Sequence, residues 1–198
     1  MNYFTNKRWP QKLTRIFLAV RPWSFSASMT STFLGFCLAW KETRSIDAIQ
    51  MLFTTFTILF IHSAGNLVNT YYDFANGFDS EDSDDQTLVK KELRPSEMAA
   101  CISELYFMGM VSFMAVYLRA DVNSIPLVAL FFSGVLSSFI YTGGIGLKYI
   151  AFGDVLILLT FGVLTTVFAF FTQTGEISMK VLGYALPLAL NTEAILHG

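Results

Sequence analysis

Three observations predict an all-α, polytopic membrane protein. The chain has 198 residues, of which 54% are hydrophobic and only 14% charged, whereas ordinary soluble domains are about a quarter charged. Its apolar residues gather into six long runs, and mean hydropathy is +0.52. The polar residues gather too: eight of the fifteen acids (Asp73, Asp79, Glu81, Asp82, Asp84, Asp85, Glu92 and Glu97) fall between positions 73 and 97. The net charge of −2 therefore conceals a local bias, and no basic stripe suggests nucleic acid as a partner.

Residues 1–24 read as a basic arm carrying Lys7, Arg8, Lys12, Arg15 and Arg21. The arm lacks an apolar core followed by a small-residue cleavage site, so it does not read as a cleavable signal peptide. The first span is expected at Phe25–Trp40 and the second at Ala48–Tyr71, which runs into the acidic loop 72–97. The third is expected at Met98–Leu118, the fourth at Ile125–Tyr141 and the fifth at Val155–Thr172. The sixth is expected at Val181–Leu196, with Pro187 as a kink. Such runs are too long and too evenly apolar for strands. Cys37 and Cys101 are isolated and show neither disulfide nor zinc spacing, so both read as packing residues.

Nine Lys/Arg lie on the arm and in the loops after spans two and four, against Lys41, Arg44, Arg119 and Lys180 on the other side. The positive-inside rule then places the N-terminus and the acidic loop in the cytosol. The membrane itself is left open between endoplasmic reticulum, Golgi and mitochondrion.

The chemistry is concentrated where span two meets the loop. At 100° per residue, His62, Asn66, Asn69 and Asp73 share an arc of roughly 60° on one helix face. Polar groups inside a bilayer are costly and mark functional sites. Asn76-Gly77 breaks the helix and turns the chain back, and Asp79 follows. A hard cation such as Mg²⁺ takes oxygen ligands, one or two carboxylates with water and substrate phosphate filling the rest. Asn69, Asp73 and Asp79 suit that task. For Glu81, Asp82 and Asp84 a solvated loop is an equal reading, and the acids lack the spacing and central glycine of a calcium loop. His62 reads as a satisfied interhelical polar residue.

The segment Asn69-Thr-Tyr-Tyr-Asp73-Phe-Ala-Asn-Gly77-Phe-Asp79 resembles the first aspartate-rich motif of the UbiA superfamily of intramembrane prenyltransferases. Four more fragments match in order: Arg21-Pro-Trp-Ser-Phe25, Asp84-Asp85-Gln-Thr-Leu-Val89, Tyr141-Thr-Gly-Gly144 followed by Lys148, and Asn191-Thr-Glu-Ala-Ile-Leu-His197. Together they resemble the menaquinone branch, from about Arg15 to His197.

The resemblance implies a helical bundle of nine spans, of which about six fall in residues 25–198, and a Mg²⁺-dependent transfer. Aspartate-held Mg²⁺ binds the diphosphate of a geranylgeranyl-like donor, and an electron-rich naphthoquinol-type acceptor attacks the prenyl group. Asn69, Asp73 and Asp79 would hold the metal and form the catalytic centre. Arg21, Asn66, Asp84, Asp85, Tyr141, Lys148 and Asn191 would line the substrate site, and Glu193 and His197 would lead toward a second motif. For Arg21 and Lys148 an interfacial snorkelling cation is the alternative, and for Tyr141 an interfacial belt.

The sequence departs from the family pattern at three places. The second aspartate-rich motif would begin just beyond His197, so a chain ending there is expected to have little or no transfer activity. Thr70 and Gln86 stand where relatives carry an aspartate and an arginine. A non-catalytic membrane protein that binds partners or lipid, or a transporter, are the competing function classes. A dinucleotide-dependent oxidoreductase is excluded by the lack of a glycine-rich fingerprint after a strand.

Overall fold

The computed structural model describes residues 8–80, 87–90, 93–150 and 152–197, with side chains described from residue 12 to residue 191. Every regular element among them is helical. An amphipathic helix α1 (Arg8–Val20) leads through a short 3₁₀ turn (Pro22–Ser24) into α2 (Phe25–Thr43). Then come α3 (Ala48–Ala75), α4 (Pro95–Arg119), α5 (Ser124–Ile140), a 3₁₀ turn (Leu147–Ile150) and α6 (Gly153–Ile157). A π-helical stretch (Leu158–Leu164) joins α6 to α7 (Thr165–Thr174), and α8 (Met179–His197) follows.

Each of the six predicted spans coincides with a helix or a helical relay. Among the described residues, three are long and apolar enough to cross a membrane: α3, α4 and the relay Gly153–Thr174, while α5 is apolar but shorter. The outward faces are apolar as well: Phe33, Phe107, Leu118, Ile125, Leu136 and Leu190 are all more than half exposed. In a soluble monomer such continuous apolar exposure would be a liability; here it is the face that meets lipid.

Helix boundaries follow local chemistry. The Asp47 carboxylate caps α3 by accepting the N–H groups of Ile49 and Gln50 at 2.9 and 3.0 Å. Pro95 starts α4, with Glu97 reaching back to the Arg94 N–H. The expected loop 72–97 is shortened at both ends, because α3 continues to Ala75 and α4 begins at Pro95. Gly77, at φ +74°, makes the break that ends α3.

The basic arm also departs from expectation, because it contains a helix that packs. Ala19, with Ile16 and Val20 beside it, buries against Leu67 of α3, Met98 of α4, and Leu88 and Leu93 from the loop. Leu13 and Phe17 of the same helix remain 62% exposed. Among the described loop residues, Leu88 and Leu93 are buried in this cluster. Pro187 lies inside α8, which continues through it.

Two further apolar clusters hold the bundle. Ile61, Phe113, Val116, Leu127, Phe131, Phe168 and Phe171 join α3, α4, α5 and α7, with Phe113 and Phe131 stacked at 3.9 Å. Ala39, Val167, Phe170 and Val181 join α2, α7 and α8. Helices in lipid associate by close packing of small residues rather than by hydrophobic expulsion. Gly35 shows this at the α2–α7 contact: an added Cβ would sit 2.5 Å from the Thr166 carbonyl oxygen and 2.8 Å from Ala169 Cβ.

The π-helical stretch has a traceable hydrogen-bond pattern. The Thr165 N–H bonds the carbonyl of Thr160, five residues back, and the Thr165 hydroxyl donates to the same oxygen at 2.8 Å. Such insertions are rare and recur at functional sites. This one faces the cavity described next.

Candidate active site

A cavity of about 410 Å³ lies between α2, α3, α5 and the π-helical stretch. It follows α3 from Asn69 down to Thr57, ~18 Å at 1.5 Å per residue. The two ends differ in chemistry. The upper end carries Arg21, Asn66, Asn69, Tyr141 and Lys148; the lower end is walled by Ile58, Leu130, Phe131 and Phe168. The Thr57 hydroxyl at the lower end is already spent on its own helix, bonding the Phe53 carbonyl at 2.8 Å.

At the upper end the polar stripe of α3 meets the loop that follows α5. Asn69 and Asp73 are both only 6% exposed. The Lys148 ammonium donates to Asp73 Oδ2 at 2.8 Å and to Asn69 Oδ1 at 3.2 Å. Tyr149 Oη donates to the other carboxylate oxygen of Asp73 at 2.7 Å. Burial, and then its hydrogen bond to the Asp73 carboxylate, push the Tyr149 phenol up to about 12. Asp73 does not itself line the cavity, and its route to the cavity runs through Lys148.

The turn after α3 brings Asp79 back toward this pair. The N–H groups of Phe78 and Asp79 lie 2.9 and 3.3 Å from the Asp73 carbonyl oxygen. The Phe78 ring stacks on Tyr149 at 4.5 Å and 12°. That stack ties the turn bearing Asp79 to the loop bearing Lys148.

Lower on the stripe, polar groups fasten α3 to the start of α2. His62 is 5% exposed, with Nδ1 2.9 Å from Ser28 Oγ and Nε2 3.1 Å from Ser24 Oγ. Its ring lies against Phe25 and Phe161, with centroids 5.2 and 4.5 Å away. Asn66 Nδ2 donates to the Val20 carbonyl at 2.6 Å and to Ser24 Oγ at 3.0 Å. Between these anchors Arg21 adopts φ +54°, a left-handed conformation that is uncommon for a residue with a side chain.

Of the residues singled out in the sequence, Asn69, Asp73 and Lys148 are in direct contact, and Arg21, Asn66 and Tyr141 line the same cavity. Asn191 is exposed on α8 and is not among the residues lining it. Asp84 and Asp85, like Glu81 and Asp82, lie outside the described residues, as do the side chains of Glu193 and His197. Tyr149, Ser28 and Phe161 were not anticipated, and Ser24 was noted only as part of the matching fragment Arg21-Pro-Trp-Ser-Phe25. Ser28 and Phe161 line the cavity and Tyr149 reaches Asp73, but serines and aromatics are common in apolar helices and their spacing alone does not mark them.

Among the described residues, no three His, Cys, Asp or Glu side chains converge as a metal cage. The donor set is instead an amide and a carboxylate, with a second carboxylate on the adjoining turn. That set fits a hard cation which completes its shell with water and phosphate. The Lys148 ammonium shows that a positive charge is accommodated between Asn69 Oδ1 and Asp73 Oδ2.

Comparison with known proteins gives a consistent result. The model of the UbiA prenyltransferase family matches residues 28–198. UbiA prenyltransferase domain-containing protein 1 of Danio rerio is 50% identical over 180 residues, covering 91% of this chain and 54% of that protein. The Homo sapiens protein of that name is 45% identical over 191 residues, covering 96% and 56%. The Drosophila melanogaster homolog is 45% identical over 188 residues, covering 94% and 52%. The chain spans about half the length of the curated relatives it matches.

Proposed function

Because the chain belongs to the UbiA prenyltransferase family, we propose that its cavity binds a prenyl diphosphate and serves prenyl transfer to an aromatic acceptor within a membrane. The observation that carries this reading is the ammonium of Lys148 held between Asn69 and Asp73 at the charged end of a cleft whose far end is walled by Ile58, Leu130, Phe131 and Phe168. A charged head with a long greasy tail is the ligand shape that such a cleft accommodates.

In the proposed reaction the bond between prenyl C1 and the diphosphate oxygen breaks, and a carbon–carbon bond to the acceptor ring forms. The ring carbon then loses its proton. Mg²⁺, when bound, supplies positive charge that stabilises the departing diphosphate. Asn69, Asp73 and Asp79 would hold it. Lys148 and Arg21, both on the cavity wall, would neutralise the diphosphate oxygens. The apolar lower end would hold the tail and exclude water from the allylic cation. The fragments resembling the menaquinone branch favour a geranylgeranyl-like donor and a naphthoquinol-type acceptor. The excess of basic residues on the arm and the loops beside it favours a cytosolic N-terminus.

Retention of radiolabelled geranylgeranyl diphosphate by the reconstituted chain tests the reading. The expected result is saturable, Mg²⁺-dependent binding that Asp73→Asn abolishes. Binding unchanged by Asp73→Asn or by chelator overturns it, and solute flux across sealed vesicles would indicate a transporter instead.

A further inference from the structure

Resting on the metal reading above, we propose that Lys148 is a tethered surrogate for the metal ion, which an incoming cation must displace. Its ammonium occupies the space between Asn69 Oδ1 and Asp73 Oδ2, the two atoms on α3 best suited to a hard cation. Two positive charges cannot share that position.

The arrangement is built to allow exchange. The Lys148 backbone is fixed, with its N–H bonded to the Tyr141 carbonyl at 2.8 Å, and Tyr149 is fixed in turn on Gly146 at 2.9 Å. The Lys148 side chain, by contrast, is 34% exposed and lines the cavity, while that of Asp73 is 8% exposed. The carboxylate therefore stays while the ammonium is free to swing along the cavity wall on its four-carbon stem. Tyr149 keeps its hold on Asp73 Oδ1 throughout, so the carboxylate remains oriented during the exchange.

The pairing has a physical reason. A buried carboxylate with no counter-charge is strongly unfavourable, and Lys148 supplies that charge until the cation arrives. Once displaced, the ammonium lies in the cavity, where a diphosphate would offer it new oxygen partners. Cation and diphosphate then favour each other's binding, because each removes Lys148 from competition with the other.

The test uses the whole chain in phosphatidylcholine nanodiscs, with Mn²⁺ as the probe followed by electron paramagnetic resonance. Lys148→Met and Lys148→Gln are expected to bind Mn²⁺ at least about fivefold more tightly than wild type, within the range of typical coupling between sites. Adding Asp73→Asn to either variant is expected to remove the binding. In the wild type, amine labelling of Lys148 read by mass spectrometry is expected to rise as Mn²⁺ is added, a readout that needs no variant to fold. Equal Mn²⁺ affinity in wild type and both variants, or labelling of Lys148 unmoved while Mn²⁺ binds, overturns the surrogate role and leaves the metal site standing. No Asp73-dependent Mn²⁺ binding in any form overturns the metal reading itself, and the surrogate role with it.

Discussion

Asn66 in the middle of α3 donates its side-chain amide to the backbone carbonyl of Val20, 2.6 Å away across 46 residues of sequence. The same amide reaches Ser24 Oγ at 3.0 Å. Together with His62 it clasps the junction of α1 and α2, where Arg21 holds its left-handed turn. Asn66→Ala leaves the Val20 carbonyl without that donor and is expected to cost about 1–3 kcal/mol. The check is a lowered denaturation midpoint in detergent, together with weaker diphosphate retention, because the turn that carries Arg21 loses two of its ties to α3.

Tyr149 is expected to titrate late. Its folded value of about 12 lies above the ordinary phenol value of about 10. The sign follows from linkage: the neutral, donating phenol is favoured in the fold, so its contribution is complete below pH ~10 and is lost as pH rises through about 12. The contact with Asp73 should therefore be unaffected across the neutral range. Ultraviolet titration of tyrosinate should show that Tyr149→Phe removes a group ionising late among the eight tyrosines. Loss of an ordinary phenol instead would show that the Asp73 contact does not persist in solution.

On the opposite side of the bundle, Asp47 caps α3 and receives the Arg119 guanidinium at 2.8 Å. The Gln50 N–H first, and then Arg119, hold the Asp47 carboxyl below its usual range. A depressed carboxylate contributes stability at neutral pH that is lost as pH falls through the folded value. Asp47→Ala is expected to lower the melting temperature at pH 7 and to flatten its decline in acid. Asp47→Ser, which can still cap, should recover part of the loss at pH 7. Identical acid profiles for wild type and Asp47→Ala would refute this account.

Gly35 sets the spacing of α2 and α7. A side chain there meets the backbone oxygen of Thr166, which cannot give way as a flexible side chain would. Gly35→Val is expected to destabilise by about 1–3 kcal/mol, the usual cost of overpacking. Chemical denaturation followed by tryptophan fluorescence measures it. A stability equal to wild type would mean that the two helices are not so closely packed.

The helices were legible because apolar length is a coarse signal, and six long runs survive errors of several residues at each end. The polar stripe His62, Asn66, Asn69 and Asp73 was legible because α-helical periodicity alone puts those residues on one face. What periodicity does not contain is the partner. Lys148 reaches Asp73 only because the loop after α5 folds back over α3, and Tyr149 contributes from the position next to it. The arm concealed a helix because its five basic residues drew the reading to charge and orientation, while among the described residues Ile16, Ala19 and Val20 pack inward. The π-helical stretch was invisible for a different reason: Thr160 and Thr165 are ordinary helical residues, and nothing in their identity requires a five-residue hydrogen bond between them.

The contact between α3 and α7 also bears on biogenesis. Asp47 N–H and Gln173 Oε1 are hydrogen-bonded at 3.0 Å across 126 residues, and further along the same two helices the Thr54 and Thr172 hydroxyls meet at 3.2 Å. A chain made from its N-terminus therefore releases α2 and α3 into the bilayer long before the helix that seals them exists. Until then His62 and Asn66 have only the earlier partners Val20, Ser24 and Ser28, the cavity lacks the wall that the π-helical stretch and α7 supply, and the buried hydroxyls of α2 face lipid or whatever the insertion machinery provides. The cleft thus comes into being late in translation, and substitutions in α7 that touch no ligand should act as assembly defects, visible as loss of the whole protein rather than loss of an activity.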